Sequence, residues 1–134
     1  MADGRDDGSA LVDSMPFARA CGIDAASATP EAVTGTVAWA PERCTAGGVL
    51  HGGLIMALAD SLGAVCAVLN LPAGARTSTI ESKTNFFRAV PSGSAHAVAR
   101  PLHVGRSTIV VQTDVTDDEG KRVAQVTQTQ AVLV

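Results

Sequence analysis

The sequence predicts an α+β domain in which a curved antiparallel sheet wraps around one long helix. Three observations predict this fold: a long apolar segment at residues 54–69, one strand-like run before it and four strand-like runs after it. The links between those four runs are too short for the crossovers that parallel strands need, so we expect antiparallel strands. A helix that is apolar on nearly every side needs cover on most of them, and a curved sheet supplies that cover.

Length and composition fit a single domain. The chain has 134 residues, of which 46% are hydrophobic and 17% charged, and its net charge is −3. A chain of this size buries about two thirds of its surface on folding, and its composition excludes disorder over most of its length. The apolar segment 54–69 is interrupted by Asp60 and is too short to span a bilayer, so no membrane association is expected.

The polar and acidic residues 1–13 are predicted to be a flexible tail, with residues 14–134 as the domain. The tail lacks the cationic and apolar segments of a secretory signal. The chain has three cysteines, an odd number, and no Cys-x-x-Cys motif. We therefore expect reduced thiols in the core, with no disulfide and no zinc site. Together these features predict a cytoplasmic protein.

Charge and aromatic content narrow the class of ligand. Aromatic residues make up 3% of the chain, too few for a platform that stacks nucleic-acid bases. Between residues 76 and 113, five basic residues stand against a single acid, Glu81. This local charge favours a small anionic ligand over a nucleic acid, which needs a broad positive footprint. Solvated strand ends explain the same charges equally well.

The first half of the chain carries short elements and a loop. Residues 14–21 predict a helix with Ser14 near its N-cap and Gly22 at its end. Residues 32–39 alternate as a strand. One face of that strand carries Val33, Gly35, Val37 and Trp39. A glycine-rich loop at residues 44–53 leads into the long helix.

Four further runs with strand character follow Gly74. They are rich in β-branched residues or alternate between two faces, and they cover residues 78–90, 94–104, 107–116 and 121–133. The turn Asp117-Asp118-Glu119-Gly120 joins the last two runs, which predicts a hairpin.

The start of the long helix is the first candidate site. Gly52 and Gly53 stand where backbone N–H groups have no acceptor within the helix. Together with the positive end of the helix dipole, these donors can hold a carbonyl oxygen as it gains charge. The loop lacks the Lys-Ser/Thr of a phosphate-binding loop and the glycine spacing of a dinucleotide-binding loop.

Asp60 is the second candidate, because an acid within an apolar helix is disfavoured by helix propensity and by desolvation. Helical periodicity places it on a stripe of small residues, Gly53, Ala57, Ala64 and Ala67. That stripe is either a close-packing seam or the wall of a cavity. We expect burial to raise the pKa of the carboxyl group. The alternative is a structural role, with Asp60 bonded to a backbone donor or an arginine.

Gly52 and Asp60 cannot serve one substrate from the same helix. Eight residues along a helix correspond to about 12 Å, whereas a base and an oxyanion donor each act about 3 Å from their targets. Two copies related by a two-fold axis can bring Gly52 of one chain against Asp60 of the other. The sequence therefore predicts a symmetric homodimer with two shared sites.

The histidines leave several interpretations open. His51 precedes the helix, where it can cap the helix, orient the loop or bind a ligand. A Ser-His-Asp triad on His51 and Asp60 is disfavoured, because the neighbouring serine points about 100° away from Asp60. A metal site is not predicted, since His96 and His103 face opposite ways along a strand unless Pro101 introduces a bulge.

These residues resemble the hotdog-fold acyl-coenzyme A thioesterases, in the subgroup of the phenylacetate-pathway and hydroxybenzoyl-CoA enzymes. The resemblance rests on Gly-x-x-His-Gly-Gly at residues 48–53, on Asp60 nine residues after the histidine, and on the run Asn-Phe-Phe-Arg at 85–88. It covers about residues 14–134. It implies a hotdog fold and hydrolysis of an acyl-CoA at a site built across a homodimer, often within a dimer of dimers. Coenzyme A is then part of the substrate, and no separate cofactor is implied.

The resemblance also implies roles for single residues. Asp60 is the implied general base or nucleophile, and the Gly52 N–H, with His51 beside it, polarises the thioester carbonyl. Thr79, or its neighbour Ser78, places a hydroxyl near the attacking water. Arg88 and Arg106 are the implied candidates for the phosphates of the coenzyme. The small-residue stripe, with Gly53 and Ala64, leaves room for an aryl or medium-chain acyl group, and Phe86, Phe87 and Met56 either line that room or belong to the core.

Two positions depart from the family pattern. Thr45 stands six residues before the histidine, where family members often have Asn or Gln. Ala64 stands four residues after the acid, where some aryl-specific members have Thr. The hydroxyl of Thr45 has a shorter reach than an amide, which favours an alternative function. That alternative is a non-catalytic protein that binds acyl-CoA or another small ligand, or acts as a scaffold, through the same pocket.

Overall fold

Six antiparallel strands and one long helix form the fold of this chain, in a computed structural model that describes residues 9–134. The strands are β1 (Ile23–Ala28), β2 (Val33–Ala38), β3 (Arg76–Phe86), β4 (Ser94–Val104), β5 (Thr108–Thr116) and β6 (Arg122–Leu133). The helices are α1 (Ser9–Asp13), α2 (Pro16–Ala20) and α3 (Gly52–Leu69), with a 3₁₀ turn at Pro41–Arg43. The strands form one sheet in the order β1-β2-β4-β5-β6-β3, which confirms the α+β class.

The core lies between α3 and one face of the sheet. Leu58 and Leu62 are fully buried on α3, and Val65 is 1% exposed. The predicted inward face of β2 is confirmed, because Val33, Gly35 and Val37 are buried in this core. Alternate residues of β5 are buried in the same core. The length and composition of α3 would also suit a membrane span, but half of that segment is buried inside the domain. Core packing accounts for its apolar composition.

The short links between the last four predicted strands imply that each pairs with the next, but β3 does not pair with β4. The order predicted for the later strands holds, because β4 pairs with β5 and β5 pairs with β6. β3, however, pairs with β6, from Arg76 opposite Leu133 to Phe86 opposite Ala124. The prediction was wrong because β4 instead pairs with β2, from Val33 opposite Ala99 onwards. As a result, β3 is an edge strand, and most of its side chains are exposed.

The N-terminal region also differs from its prediction. Residues 9–13 of the predicted tail form α1, because Val12 is fully buried and fixes them to the core. The rest of that tail lies outside the described residues. α2 begins at Pro16 with Met15 at its N-cap, while the Ser14 hydroxyl donates to the carbonyl of Leu11.

The edge strand β1 was not predicted from the sequence. Its residues Ile23–Ala28 are mostly small, and its pairing with β2 shifts register between Ala25 and Ser27. Neither strong alternation nor β-branched residues mark such a segment, so its pairing with β2 supplies the order that its own sequence does not specify.

Candidate active site

The helix α3 begins at Gly52, with His51 as its N-cap. The Nδ1 atom of His51 accepts a hydrogen bond from the Gly53 N–H at 2.8 Å, so its ring proton lies on Nε2. A Cβ at Gly53 would lie 2.9 Å from that Nδ1, which explains why glycine follows. Of the three roles open to His51, the structure therefore supports capping.

The Gly52 N–H has no acceptor among the described residues, as expected for the first residue of a helix. The ring of Phe86 lies beside it, because a Cβ built on Gly52 would be 3.2 Å from Phe86 Cζ. Phe86 is itself 49% exposed. A free backbone donor at the positive end of a helix, beside an aromatic ring, is a suitable place for a carbonyl oxygen.

A groove of about 560 Å³ opens between α2, the 3₁₀ turn and the first turns of α3. This volume is typical of small-molecule sites. The groove is lined by Phe17, Ala20, Cys21, Glu42, Arg43, Cys44, His51, Gly53, Leu54 and Ala57. Gly53 and Ala57 belong to the small-residue stripe, so part of that stripe is the wall of a cavity.

Asp60 lies on the open side of α3, and its side chain is exposed in the single chain. The predicted burial of Asp60 is only partial, because the small-residue stripe runs from exposed Gly53 to fully buried Ala67 and the carboxylate lies between them, in contact with Gln128 of β6. Partial loss of hydration still raises the pKa of Asp60, and a hydrogen bond from Gln128 opposes that rise. Gln128 Nε2 donates to Asp60 Oδ1 at 3.4 Å.

Thr79 lies on the same face of the sheet as the buried Gln130. The two residues are opposite each other in the β3–β6 ladder, and Gln130 Nε2 donates to Thr79 Oγ1 at 2.8 Å. Ser78 is the neighbour of Thr79 along β3, so it points to the opposite face. Thr79, rather than Ser78, therefore has its hydroxyl on the side of α3.

The Thr45 side chain is used inside its own turn. Its Oγ1 accepts from the Gly47 N–H at 3.2 Å, and its backbone bonds to Val49 and Gly48 close the loop. Thr45 is not among the residues that line the groove. Ala64 lies half-buried on α3, one turn beyond Asp60.

Arg88 and Arg106 lie at opposite ends of the sheet. The Arg88 N–H bonds to the Val123 carbonyl at one end, next to the hairpin in which the Lys121 backbone N–H and, to a lesser degree, the charge of Arg88 lower the pKa of Asp117. Arg106 lies just before β5 at the other end. The nine residues of β5 between them cover about 30 Å. One phosphate group cannot contact both arginines of a single chain.

The other histidines and the cysteines are dispersed. His96 pairs with Asp118 at 2.6 Å, and a bulge follows Pro101, so strand alternation no longer separates His96 from His103. Their register partners, Thr116 and Val110, nevertheless lie well apart along β5. All three cysteines are free, but only Cys66 is buried, whereas Cys21 and Cys44 line the groove.

Three residues near Asp60 and Thr79 were not predicted from the sequence, namely Gln128, Gln130 and Gly63. Both glutamines lie on the inward face of β6, where Gln128 is fully buried and Gln130 is 1% exposed. Polar residues at alternate positions of a buried strand face were the available signal, because such groups need hydrogen-bond partners.

Comparison with known proteins agrees with this fold. Residues 47–124, more than half of the chain, match the model of the thioesterase superfamily. The chain belongs to this superfamily, and its fold is the hotdog fold. The match begins in the glycine-rich loop before His51 and includes all of α3.

Named relatives are similar over part of their length. The chain is 35% identical over 75 residues to the proofreading thioesterase EntH of Cronobacter sakazakii, covering 56% of this chain and 55% of that protein. It is 31% identical over 86 residues to the 1,4-dihydroxy-2-naphthoyl-CoA hydrolase of Escherichia coli, covering 64% of this chain and 63% of that protein. The chain therefore matches less than two thirds of each relative.

A solved structure matches nearly the whole domain. The crystal structure of a mutant of thioesterase PA1618 from Pseudomonas aeruginosa superposes with a TM-score of 0.88 at 29% identity. The superposition covers 96% of this chain and 94% of that one.

Proposed function

We propose that this protein hydrolyses an acyl-CoA thioester to a free acid and coenzyme A. The observation that carries the proposal is the free Gly52 N–H at the start of α3, between two residues that line the groove, His51 and Gly53, in a chain of the thioesterase superfamily. The thioester carbonyl accepts a hydrogen bond from Gly52, and the acyl group enters the groove. Because Gly53 and Ala57 carry little or no side chain, the groove has room for an aryl or medium-chain acyl group.

In the proposed reaction, Asp60 removes a proton from water as the water oxygen attacks the thioester carbon. Thr79 places its hydroxyl near that water. The Gly52 N–H stabilises the negative charge that develops on the carbonyl oxygen. The carbon–sulfur bond then breaks, and the sulfur of the leaving coenzyme A takes the proton from Asp60, which restores the base. A positioned base contributes roughly 10²–10⁴-fold to the rate, and one oxyanion donor roughly 10²–10³-fold.

We place this site between two chains. Gly52 and Asp60 belong to one unbroken helix, so about 12 Å of helix separates them. A two-fold related copy brings Asp60 of one chain to Gly52 of the other, which makes two sites per homodimer. The resemblance to the family further implies a dimer of dimers.

The exposed surface of the single chain supports this dimer. β3 is an eleven-residue edge strand with unpaired backbone groups, which proteins rarely leave open. Large apolar side chains are exposed on or near β3 and on the open side of α3, namely Ile80, Phe86, Phe87, Met56 and Val68. A second copy that covers β3 and the open side of α3 would pair the backbone groups of this edge and bury the exposed apolar side chains.

The phosphates of the coenzyme are assigned to arginines of different chains. Arg88 lies at the end of the sheet near Gly52, whereas Arg106 lies at the far end. One coenzyme can therefore meet both only if Arg106 comes from the second copy. The similarity to a naphthoyl-CoA hydrolase supports an aryl substrate class.

Release of free thiol from a panel of acyl-CoAs tests the proposed activity. The panel includes acetyl, medium-chain aliphatic and aryl thioesters, and a thiol-reactive dye reports hydrolysis. We expect turnover with at least one aryl or medium-chain thioester and little with acetyl-CoA, which leaves the groove empty.

A second candidate is a protein that binds acyl-CoA without hydrolysing it. The observation that favours it is that the Thr45 hydroxyl oxygen accepts a bond from its own loop and lies outside the groove. Measurable coenzyme A binding without thiol release from any thioester would support this candidate and contradict the first.

A further inference from the structure

Gln128 is a fully buried polar residue of β6, and its amide group reaches Asp60 and Gly63 of α3. Its Nε2 donates to Asp60 Oδ1 at 3.4 Å, while its Oε1 has no hydrogen-bond partner among the described residues. Burying an amide with one group unsatisfied costs free energy. An apolar residue at this position of β6 would avoid that cost, so the amide is expected to serve a purpose other than packing.

Gly63 creates the space that this amide occupies. A Cβ built on Gly63 would overlap the amide carbon and oxygen of Gln128, so any side chain there displaces the glutamine. Gly63 follows Asp60 by three residues, which places both on the same side of α3. Glycine is a poor helix former, so Gly63 lowers the stability of α3. This is a second cost, besides the unsatisfied amide oxygen, that accompanies the contact between Gln128 and Asp60.

We propose that Gln128 is a positioning residue for Asp60, held in place by the missing side chain of Gly63. The proposal rests on the proposed function, in which Asp60 is the base. The Gln128 amide holds Oδ1 of the carboxylate and leaves Oδ2 to receive the proton of water. Because an N–H donor favours the ionised carboxylate, the same contact keeps Asp60 in the form that a base requires.

Among the groups around Asp60 in one chain, Gln128 is the one that favours the ionised carboxylate. Partial loss of hydration raises the pKa of the Asp60 carboxyl group, and the hydrogen bond from Gln128 lowers it. No charged side chain among residues 9–134 contributes to the shift within one chain. Gln128 is therefore the group in the single chain that opposes protonation of the proposed base.

Carboxyl carbon NMR of labelled aspartates measures this contact directly. Gln128→Met keeps the length of the side chain but removes the donor. We expect the titration midpoint of Asp60 to rise by about 0.5 to 1 pH unit. The acidic limb of the kcat/KM profile should move upward by the same amount, with kcat more affected than KM, because the contact acts on the base and not on substrate binding.

Two further variants make the test specific. Gly63→Ala leaves Gln128 chemically intact but displaces it, so it should produce a similar upward shift, and the double variant should add little to either. Thr113→Val is the matched control, because Thr113 is fully buried on β5 with an unpartnered hydroxyl and has no contact with Asp60 among the hydrogen bonds of the described residues. It should leave the Asp60 midpoint unchanged.

An unchanged midpoint in folded Gln128→Met or in folded Gly63→Ala overturns the proposal. If one variant does not fold, the other still decides the question. The titration needs no turnover, so its failure is distinct from a failure of the proposed function. If the wild-type protein releases no thiol from any acyl-CoA, the enzymatic proposal falls, whereas the NMR shift still shows whether Gln128 controls Asp60.

Discussion

The two sides of α3 differ in what accounts for their residues. The side toward the sheet carries Leu58, Leu62 and Val65, which are buried against the strands of the same chain. The open side carries the exposed side chains of Met56, Asp60 and Val68, and packing within one chain does not explain the two apolar ones. The first side determines whether the domain folds, and we interpret the second as the surface where a second copy and a substrate meet. Substitutions on the two sides should therefore affect different properties.

The largest expected effect follows from Asp60→Asn on the open side. Removing the proposed base should lower kcat by roughly 10²–10⁴-fold, because the amide cannot accept the proton of water. Circular dichroism and coenzyme A binding should be unchanged, since the Asp60 side chain is exposed in the single chain.

Asp114→Asn is the matched control for this substitution. Asp114 lies away from α3, where it contacts Gln125 and Arg122. It should retain full turnover. Retention of more than about a tenth of wild-type kcat by Asp60→Asn would contradict its role as the base.

The next effect concerns the buried side of α3. Leu62→Ala removes a fully buried side chain that packs within about 3 Å of where a Cβ on Gly35 would lie. It should lower the free energy of unfolding by about 2–5 kcal/mol, measured by urea denaturation. Turnover per folded molecule should stay at the wild-type level.

Leu102→Ala provides the comparison for Leu62→Ala. Leu102 is 57% exposed, so the same chemical change should alter stability by no more than about 0.5 kcal/mol. Equal losses in the two variants would contradict the assignment of the core.

The smallest effect is expected at His51, where the two sides of α3 meet at its first turn. His51→Ala removes the cap and should cost about 1 kcal/mol of stability. His51→Asn offers another capping acceptor and should restore most of that stability. If turnover also returns in His51→Asn, His51 acts only as a cap. If stability returns and turnover does not, the Nε2–H contributes to the reaction.

The sequence predicted the buried side of α3 more fully than the open side. Periodicity and glycine placement indicated a helix after residue 51, and β-branched alternation indicated β4, β5 and β6 within a residue or so of their ends. The position of β3 was missed, because a ladder partner depends on which edge is vacant in the assembled sheet and not on local pattern.

The sequence predicted those residues of the candidate site that lie close together along the chain. Gly52, His51 and Asp60 share one stretch of chain, so their residue types were informative. The Gln128 contact joins residues 68 positions apart, and the separation of Arg88 from Arg106 depends on the sheet. Both are consequences of tertiary structure that a single sequence does not display.

Subunit exchange between two inactive variants tests the shared site most directly. Asp60→Asn removes the base, and Gly52→Pro removes the N–H at a helical position that tolerates proline. Gly52→Ala is the control for Gly52→Pro. It keeps the backbone N–H, while its added Cβ meets the Phe86 ring as the Cβ of proline does. After exchange at equal amounts, half of the dimers are hybrids with one intact site each, so about a quarter of wild-type activity should return. Hybrids that stay inactive, or a monomer with full activity, would contradict the account.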